Sequence, residues 1–247
     1  MSLRLLLKLA VVPCVISGAC LFAEDDAVRR PSIGLRFQYT QTRPFETFST
    51  QASTTKPIAD YNYSATSSSR GLELTPNLEY RLTSKLTLGL EFQFRHAQYR
   101  QLTEIRSGKK DPTLANDDRK VSTITETTKA SYWEVPLLAH YYGITRSGPG
   151  AKVYLTGGVA LRRVANIRTG TEYSNADGTT DYNEIPASPD RTNQLGLVAG
   201  IGYRIIDDFH IKWTPEVRIT HWQGTTFQGP AFRSAANQLS VGLGVAF

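Results

Sequence analysis

The sequence predicts an all-β fold: an eight-stranded antiparallel transmembrane β-barrel with long extracellular loops and short periplasmic turns. Three observations lead to this prediction. The N-terminus has the features of an export signal, eight later segments alternate apolar and polar residues, and the connections between them are alternately long and short. The composition agrees. With 40% hydrophobic and 20% charged residues the chain is too apolar for general disorder, and past its start no apolar run is long enough for a membrane-spanning helix.

Residues 1–23 have the organisation of a secretory signal peptide. The segment starts with positive charge, continues with a short apolar stretch, and ends at Ala23, ahead of three acidic residues. We therefore expect a signal peptide at 1–23 and an outer-membrane barrel domain at 24–247. Both cysteines, Cys14 and Cys20, lie in the signal, so cleavage removes every thiol that could form a disulfide or bind a metal. A retained anchor and lipidation at Cys20 remain open alternatives.

Eight segments have the two-residue period of a strand with two different faces. Their apolar faces offer 42 positions, and although a fifth of the chain is charged, none of these positions holds a charged residue. The segments span residues 33–39, 72–82, 86–94, 133–141, 153–161, 195–205, 209–219 and 239–247. A soluble, lipocalin-like binding barrel would turn the apolar face inward, whereas a membrane barrel turns it toward lipid. Alternation alone is compatible with both.

The connections favour the membrane barrel. In chain order they have about 30, three, nearly 40, about ten, about 30, three and about 17 residues. Long loops on one rim and short turns on the other are typical of outer-membrane barrels, whose turns face the periplasm. An even number of strands places both termini on the short-turn rim. Together with the export signal, this predicts localisation in a bacterial outer membrane.

Two stretches carry a resemblance to known proteins. The last segment ends with alternating apolar residues and an aromatic: Leu239, Val241, Leu243, Val245 and Phe247. This run resembles the β-signal of outer-membrane proteins, which implies the barrel-assembly machinery as a partner during biogenesis. Residues 132–142 (YWEVPLLAHYY) and 153–159 (VYLTGGV) resemble the central hairpin of PorT-like barrel domains, within the broader OmpA-OmpX type. The resemblance implies fold and location and no particular activity.

The polar face of the eight segments would line the lumen. An eight-stranded barrel is about filled by its own side chains, and here the inward face carries five carboxylates and seven cations. Because an unpaired charge in such a place is costly, we expect ion pairs to cross and plug the lumen. The predicted lumen charge network consists of Arg36, Glu79, Arg81, Glu91, Arg95, Glu134, Arg162, Arg204, Lys212, Glu216 and Arg218, with Glu73 as the fifth carboxylate. A small porin-like channel for ions or solutes remains the alternative.

We predict no catalytic, cofactor or metal site, and therefore no enzyme. Asp208 and His210 form an acid–histidine pair, but on the short-turn rim, and no serine is in register with a histidine and an acid. Residues 175–184 carry oxygen ligands at some positions of a calcium loop, but Asp177 and Gly178 favour an ordinary hairpin turn.

The long loops are the expected functional surface. They are rich in Ser, Thr, Tyr and Asn, and residues 121–129 alternate in a way that would extend the fourth strand beyond the membrane as a sheet able to pair with a partner. Basic residues at the outer rim would face the phosphates of lipopolysaccharide. The net charge of +6 falls to +4 without the signal, since 26 basic residues then face 22 acidic ones, and no basic block indicates nucleic acid. We expect a monomer in outer-membrane lipid with a structural or interaction role.

Overall fold

The computed structural model describes residues 31–69, 71–111, 113, 117–142, 152–185, 187–206, 209 and 211–246. The signal segment, Phe247, Asp208 and His210 lie outside the described residues. Fifteen strands are present in the described part of the chain: β1 Pro31–Thr40, β2 Phe45–Thr47, β3 Ser49–Thr55, β4 Ile58–Ser69, β5 Leu72–Arg81, β6 Leu86–Glu91, β7 Gln93–Ser107, β8 Lys120–Tyr141, β9 Lys152–Ser174, β10 Thr180–Glu184, β11 Asn193–Ile206, β12 Lys212–Gln223, β13 Gln228–Gly229, β14 Phe232–Ser234 and β15 Asn237–Ala246. None of these residues belongs to a helix long and apolar enough to cross a membrane.

Eight antiparallel strands close into a barrel. In chain order, the wall consists of β1, β5, β6 together with β7, β8, β9, β11, β12 and β15. Each wall strand pairs with the next wall strand in this order. The strands β6 and β7 act as one wall strand, because only Phe92 separates them. Closure comes from β15 pairing with β1, from Gly34 opposite Ala246 to Thr40 opposite Ser240. The predicted fold class is confirmed.

The two faces of the wall have the orientation of a membrane barrel. Along β1, the apolar Ile33 and Phe37 are 71% and 50% exposed, whereas Arg36 and Gln38 between and beyond them are 1% and 2% exposed. The same alternation runs through β5, β12 and β15. Apolar residues therefore face outward, toward lipid, and the polar residues fill the lumen. This excludes the lipocalin-like alternative.

The wall continues past the barrel rim as a second structure, which we call the outer sheet. It consists of β3, β4 and β10 together with the outer parts of β7, β8 and β9, in the order β3-β4-β7-β8-β9-β10. Residues 121–129 lie in β8, as their alternation predicted. The polar tract at 61–69 belongs to strand β4 and not to an irregular loop.

The outer end of the lumen is covered by an aromatic cap, formed by Phe45, Tyr99, Phe227 and Phe232. A small sheet of β13, β14 and β2 brings the three phenylalanines from the first and fourth long loops onto the inward-facing Tyr99. The rings of Tyr99 and Phe232 stack with their centroids 4.0 Å apart, and Phe45 meets Tyr99 edge-on at 5.2 Å. All four side chains are buried, so they form an apolar layer at this end.

Candidate functional site

The middle of the lumen is crossed by two arginines and two glutamates, which we call the inner quartet: Arg36, Glu91, Glu216 and Arg218. Arg36 contacts Glu91 at 3.2 Å and Glu216 at 2.8 Å. Arg218 forms a two-pronged pair with Glu91, at 2.7 and 2.8 Å, and reaches Glu216 at 2.7 Å. Each carboxylate thus meets both guanidinium groups, a geometry that offsets the cost of burying all four charges.

Neutral side chains donate further hydrogen bonds to the two carboxylates of the quartet. Tyr154 and Thr156 on β9 donate to the two carboxylate oxygens of Glu216, at 2.9 and 2.6 Å. Gln93 donates to Glu91 at 3.2 Å. The quartet therefore ties together residues of β1, β6, β7, β9 and β12, strands that lie on different sides of the barrel.

A second set of charges lies nearer the aromatic cap, and we call it the outer chain: Glu73, Arg95, Glu134 and Arg162. Arg95 pairs with Glu73 at 2.7 Å and lies 3.6 Å from Glu134, while Arg162 pairs with Glu134 at 2.8 Å. Arg162 also donates to Gln238 at 2.7 Å and stacks over the Trp222 ring at 3.6 Å. This second layer again links opposite sides of the lumen.

The remaining inward charges lie at the short-turn rim. The two networks contain four cations and four carboxylates, so Arg81, Arg204, Lys212 and Glu79 carry the inward excess of two positive charges. Arg81, Arg204 and Lys212 are only half-buried, and Arg204 lies over the Tyr142 ring at 4.1 Å. Water at the rim can solvate these side chains, which is why an unbalanced charge is tolerable there.

Glycines on two strands make room for the long side chains. A Cβ at Gly200 would lie 3.0 Å from Arg218 and 3.3 Å from Glu216, and a Cβ at Gly202 would overlap the Tyr154 ring. On β15, a Cβ at Gly242 would lie 3.3 Å from Arg36. The small residues therefore face the network itself, which is the arrangement that a filled lumen requires.

The structure places every residue of the predicted lumen network on the inward face of its strand. Among the described residues, only part of this set forms ion pairs. Eight of the twelve inward charges form the two networks, Glu73 among them, and the other four lie at the rim. The sequence analysis missed the neutral partners, among them Gln238, Trp222, Tyr154 and Thr156. Their inward positions in the alternating pattern were the available signal. The residues of the proposed assembly signal up to Val245 face outward on β15.

A separate cluster of charges lies in the outer loops, outside the membrane-spanning wall. Arg119 bridges Asp117, at 2.7 Å, and Asp60 on β4, at 2.5 Å. The hydrogen bonds from Arg119 hold the pKa of Asp117 well below its usual value, and a hydrogen bond from Ser53 together with Arg119 lowers the pKa of Asp60. The cluster joins the second loop to the outer sheet.

Comparison with known families identifies the barrel. The family model of the outer membrane protein beta-barrel domain matches residues 30–221, more than half of the chain. The chain belongs to this family. The description is broader than the PorT-like resemblance, which stays a prediction. Membership places the protein in the bacterial outer membrane.

Two solved structures align with most of this chain but share little sequence with it. Ail, the attachment invasion locus protein of Yersinia pestis, in complex with the heparin analogue sucrose octasulfate, is 9% identical with a TM-score of 0.37. That alignment covers 88% of this chain and 97% of Ail. Neisserial surface protein A is 12% identical with a TM-score of 0.30, over 88% of this chain and 97% of the other. No curated protein matches the chain by sequence.

The third long loop of this barrel ends in a simple hairpin. The strands β9 and β10 pair from Gly170 opposite Glu184 to Ser174 opposite Thr180, and Gly178 has a φ of 87° in the turn. The Asp177 carboxylate accepts hydrogen bonds from the backbone and the hydroxyl of Thr179, at 2.9 and 2.6 Å. The acidic oxygen is thus used within the turn. Among the described residues, no group of three or more metal-ligating side chains is suitably placed for an ion.

Proposed function

We propose that the protein is a sealed outer-membrane barrel that serves as an anchor and presents its outer sheet to an external partner, which binds as an added β-strand. The barrel itself then has a structural role, and the interaction is made by the surface loops. A conducting channel is the competing function, and it requires a water path through the lumen.

Dense packing supports a sealed lumen. The space between the inner quartet and the outer chain, lined among others by Gln93, Glu134 and Arg218, has a volume of about 10 Å³. This is about the space that one water molecule needs. Above it lies the aromatic cap, which has no polar group to guide an ion except the hydroxyl of Tyr99.

The free edge of β3 is the observation that carries the proposed interaction. Within the described residues this strand pairs only with β4, and its seven residues, STQASTT, contain neither a charged side chain nor a proline. Proteins commonly protect an exposed edge with charges or proline, because its unpaired N–H and C=O groups can pair with another chain. The opposite edge, β10, carries Asp181 and Glu184 and is protected in this way. We therefore assign the docking edge to β3.

A peptide selection tests this assignment. A random peptide library is selected for binding to the refolded full-length protein in micelles. The peptide that binds most tightly is then made in two N-methylated forms, one methylated at the odd residues and one at the even residues. A strand added to a sheet edge uses N–H groups on one side only. We expect one alternating set of methyl groups to weaken binding at least about tenfold, and the other set to leave it unchanged.

Matched variants separate the two edges. Gln51→Lys with Thr55→Lys adds two charges to β3, and Thr180→Lys with Asn183→Lys adds the same two charges to β10. We expect only the β3 variant to lose the peptide. Equal effects of both methylated sets, or loss of binding only in the β10 variant, would overturn docking at β3.

A further inference from the structure

We propose that a groove on the outer wall of the barrel binds the phosphorylated sugar headgroup of lipopolysaccharide. We call it the headgroup groove, and its defining residues are His96, Lys129, Ser131, Asn166 and Arg168 on the neighbouring strands β7, β8 and β9. This inference is independent of the docking edge on β3.

A break in the β8–β9 ladder forms the groove. Lys129 pairs with Arg168, but the next pair is Ser131 with Ala165, so Asn166 and Ile167 together face one residue of β8. Asn166 has a φ of 52°, in the left-handed region. Such bulges bend a strand and re-aim its side chains. The resulting cavity has a volume of about 710 Å³, which is within the range of small-molecule sites and much larger than one phosphate.

The groove lies directly above the lipid-facing surface. The outward apolar residues of the three strands end at Phe94, Trp133 and Leu161, which are 40%, 52% and 59% exposed. The Phe94 ring lies 4.7 Å from the Trp133 ring and 4.8 Å from the His96 ring, centroid to centroid. Aromatic residues form girdles at the interfaces of membrane barrels. The next outward positions are therefore at the height of the lipid headgroups.

The charges at this height are positive and available. Lys129 and Arg168 are exposed and sit side by side, and the exposed Arg163 lies lower, opposite Trp133. No carboxylate in the described part of the chain lies within 4.0 Å of these three cations, in contrast to the paired arginines of the lumen and of the outer loops. The cations span roughly 15 Å of wall, at about 3.3 Å per residue of strand, so they can meet more than one phosphate.

Hydrogen-bonding groups complete the site. Ser131 Oγ lies 3.2 Å from His96 Nδ1, a contact that orients the ring and leaves Nε2 unused by that bond. Ser68, Ser69 and Gln98 line the same cavity. Hydroxyls and amides next to cations suit a sugar phosphate, while the acyl chains of the same lipid would lie on the apolar wall below. This combination favours a glycolipid of the outer leaflet over a free anion.

The test compares lipid binding by the wild type and by a variant in which Lys129, Arg163 and Arg168 are all replaced with Gln. Full-length protein in neutral detergent is titrated with diphosphorylated lipid A, its dephosphorylated form, phosphatidylglycerol and inorganic phosphate, and bound molecules are counted by native mass spectrometry. A basic residue near an anionic membrane surface is worth roughly fivefold in affinity. We therefore expect the variant to bind diphosphorylated lipid A on the order of 100-fold more weakly.

A control variant with the same charge change replaces Arg43, Lys109 and Lys110 with Gln, none of which lines the groove, and is expected to bind like the wild type. The triple variant Lys129→Arg, Arg163→Lys, Arg168→Lys keeps all three positive charges and is expected to bind diphosphorylated lipid A like the wild type. The single variant Arg168→Gln is expected to bind it about fivefold more weakly. Unchanged affinity in the triple Gln variant would overturn the proposal. So would equal binding of dephosphorylated lipid A, phosphatidylglycerol or inorganic phosphate by the wild type.

Discussion

Glu134 is the residue on which the outer chain depends. Its carboxylate is buried between Arg162, at 2.8 Å, and Arg95, at 3.6 Å. A buried pair contributes little net stability relative to apolar packing, but removing one partner leaves the other charge buried without compensation. The consequence of losing Glu134 is therefore much larger than the value of the ion pair itself.

Replacing Glu134 with Gln should destabilise the barrel by roughly 3–5 kcal/mol, because the buried Arg162 then loses its carboxylate partner while Arg95 keeps Glu73. Urea unfolding in detergent micelles measures this as a lower midpoint. The control is Glu46→Gln, which breaks the exposed pair with Arg233 at 2.6 Å and should cost at most about 1 kcal/mol. Equal midpoints for wild type and Glu134→Gln would mean that water screens the outer chain.

At this scale the sequence predicts which residues face inward, but not their partners. The two-residue period places Arg36, Glu91 and Glu216 on the polar face of three separate segments. Whether Arg36 reaches Glu91 or another carboxylate depends on how far the strands are staggered around the barrel, and no single segment contains that information. Trp222 shows the same limit, since its stacking on Arg162 joins strands that are not neighbours in the chain.

The charge cluster of the outer loops gives a pH prediction. The pKa values of Asp60 and Asp117 are lowered in the folded protein, so their bonds to Arg119 contribute stability above the usual Asp value of about 3.9 and are lost as the pH falls through the lowered pKa. Carboxyl NMR should show Asp117 titrating below about 3.9. In the Arg119→Gln variant the titration midpoint of Asp117 should rise toward the usual Asp value. An Asp117 midpoint that is the same in both proteins would contradict the bridge.

Among the elements, the aromatic cap holds the first and fourth loops together. Phe232 is 4% exposed and stacks on Tyr99, so Phe232→Ala should remove about 3 kcal/mol or more of local stability. We expect faster trypsin cleavage after Arg233, which Ser234 follows, while the barrel remains folded and shows its normal gel migration without boiling. The control is Phe48→Ala, whose side chain is 45% exposed. Cleavage at the wild-type rate in Phe232→Ala would show that the cap does not hold the loops.

The last strand gives a prediction about assembly. The strand β15 closes the barrel against β1, and Phe247 follows it as the terminal aromatic of the proposed β-signal. Deleting Phe247 should reduce assembly in cells more than it reduces the urea midpoint of protein refolded in micelles, because only assembly needs recognition by the barrel-assembly machinery. Surface exposure measured on intact cells gives the first quantity. Normal surface levels of the deletion variant would refute this role.

The elements also show where prediction from sequence ends. The wall strands were predictable because lipid on one side and a polar lumen on the other impose alternation. Strand β4 has no such signal: apart from Ala65, its residues 61–69 are Tyr, Asn, Ser and Thr, and they are half-buried or exposed with no alternation between faces. The bulge at Asn166 also lies beyond the lipid-facing part of its strand. The alternation of apolar and polar residues therefore does not reveal the bulge or the headgroup groove.

At the scale of the whole molecule, the packing of the lumen distinguishes a sealed anchor from a conducting channel. Two charge networks, each neutral, cross the barrel, a void of about 10 Å³ separates them, and an aromatic layer covers the outer end. The excess of positive charge is confined to the short-turn rim. An ion entering from the periplasmic side would meet three cations first and then the two ion-pair networks that cross the lumen.

Planar-bilayer conductance of the purified full-length protein tests this account most directly. The sealed barrel predicts no steady openings above leak, in the wild type and in Phe232→Ala alike, because the two networks remain in place beneath the cap. Steady openings of the wild type would contradict it, and the contradiction would be complete if Glu134→Gln kept the wild-type urea midpoint and changed the ion selectivity of those openings.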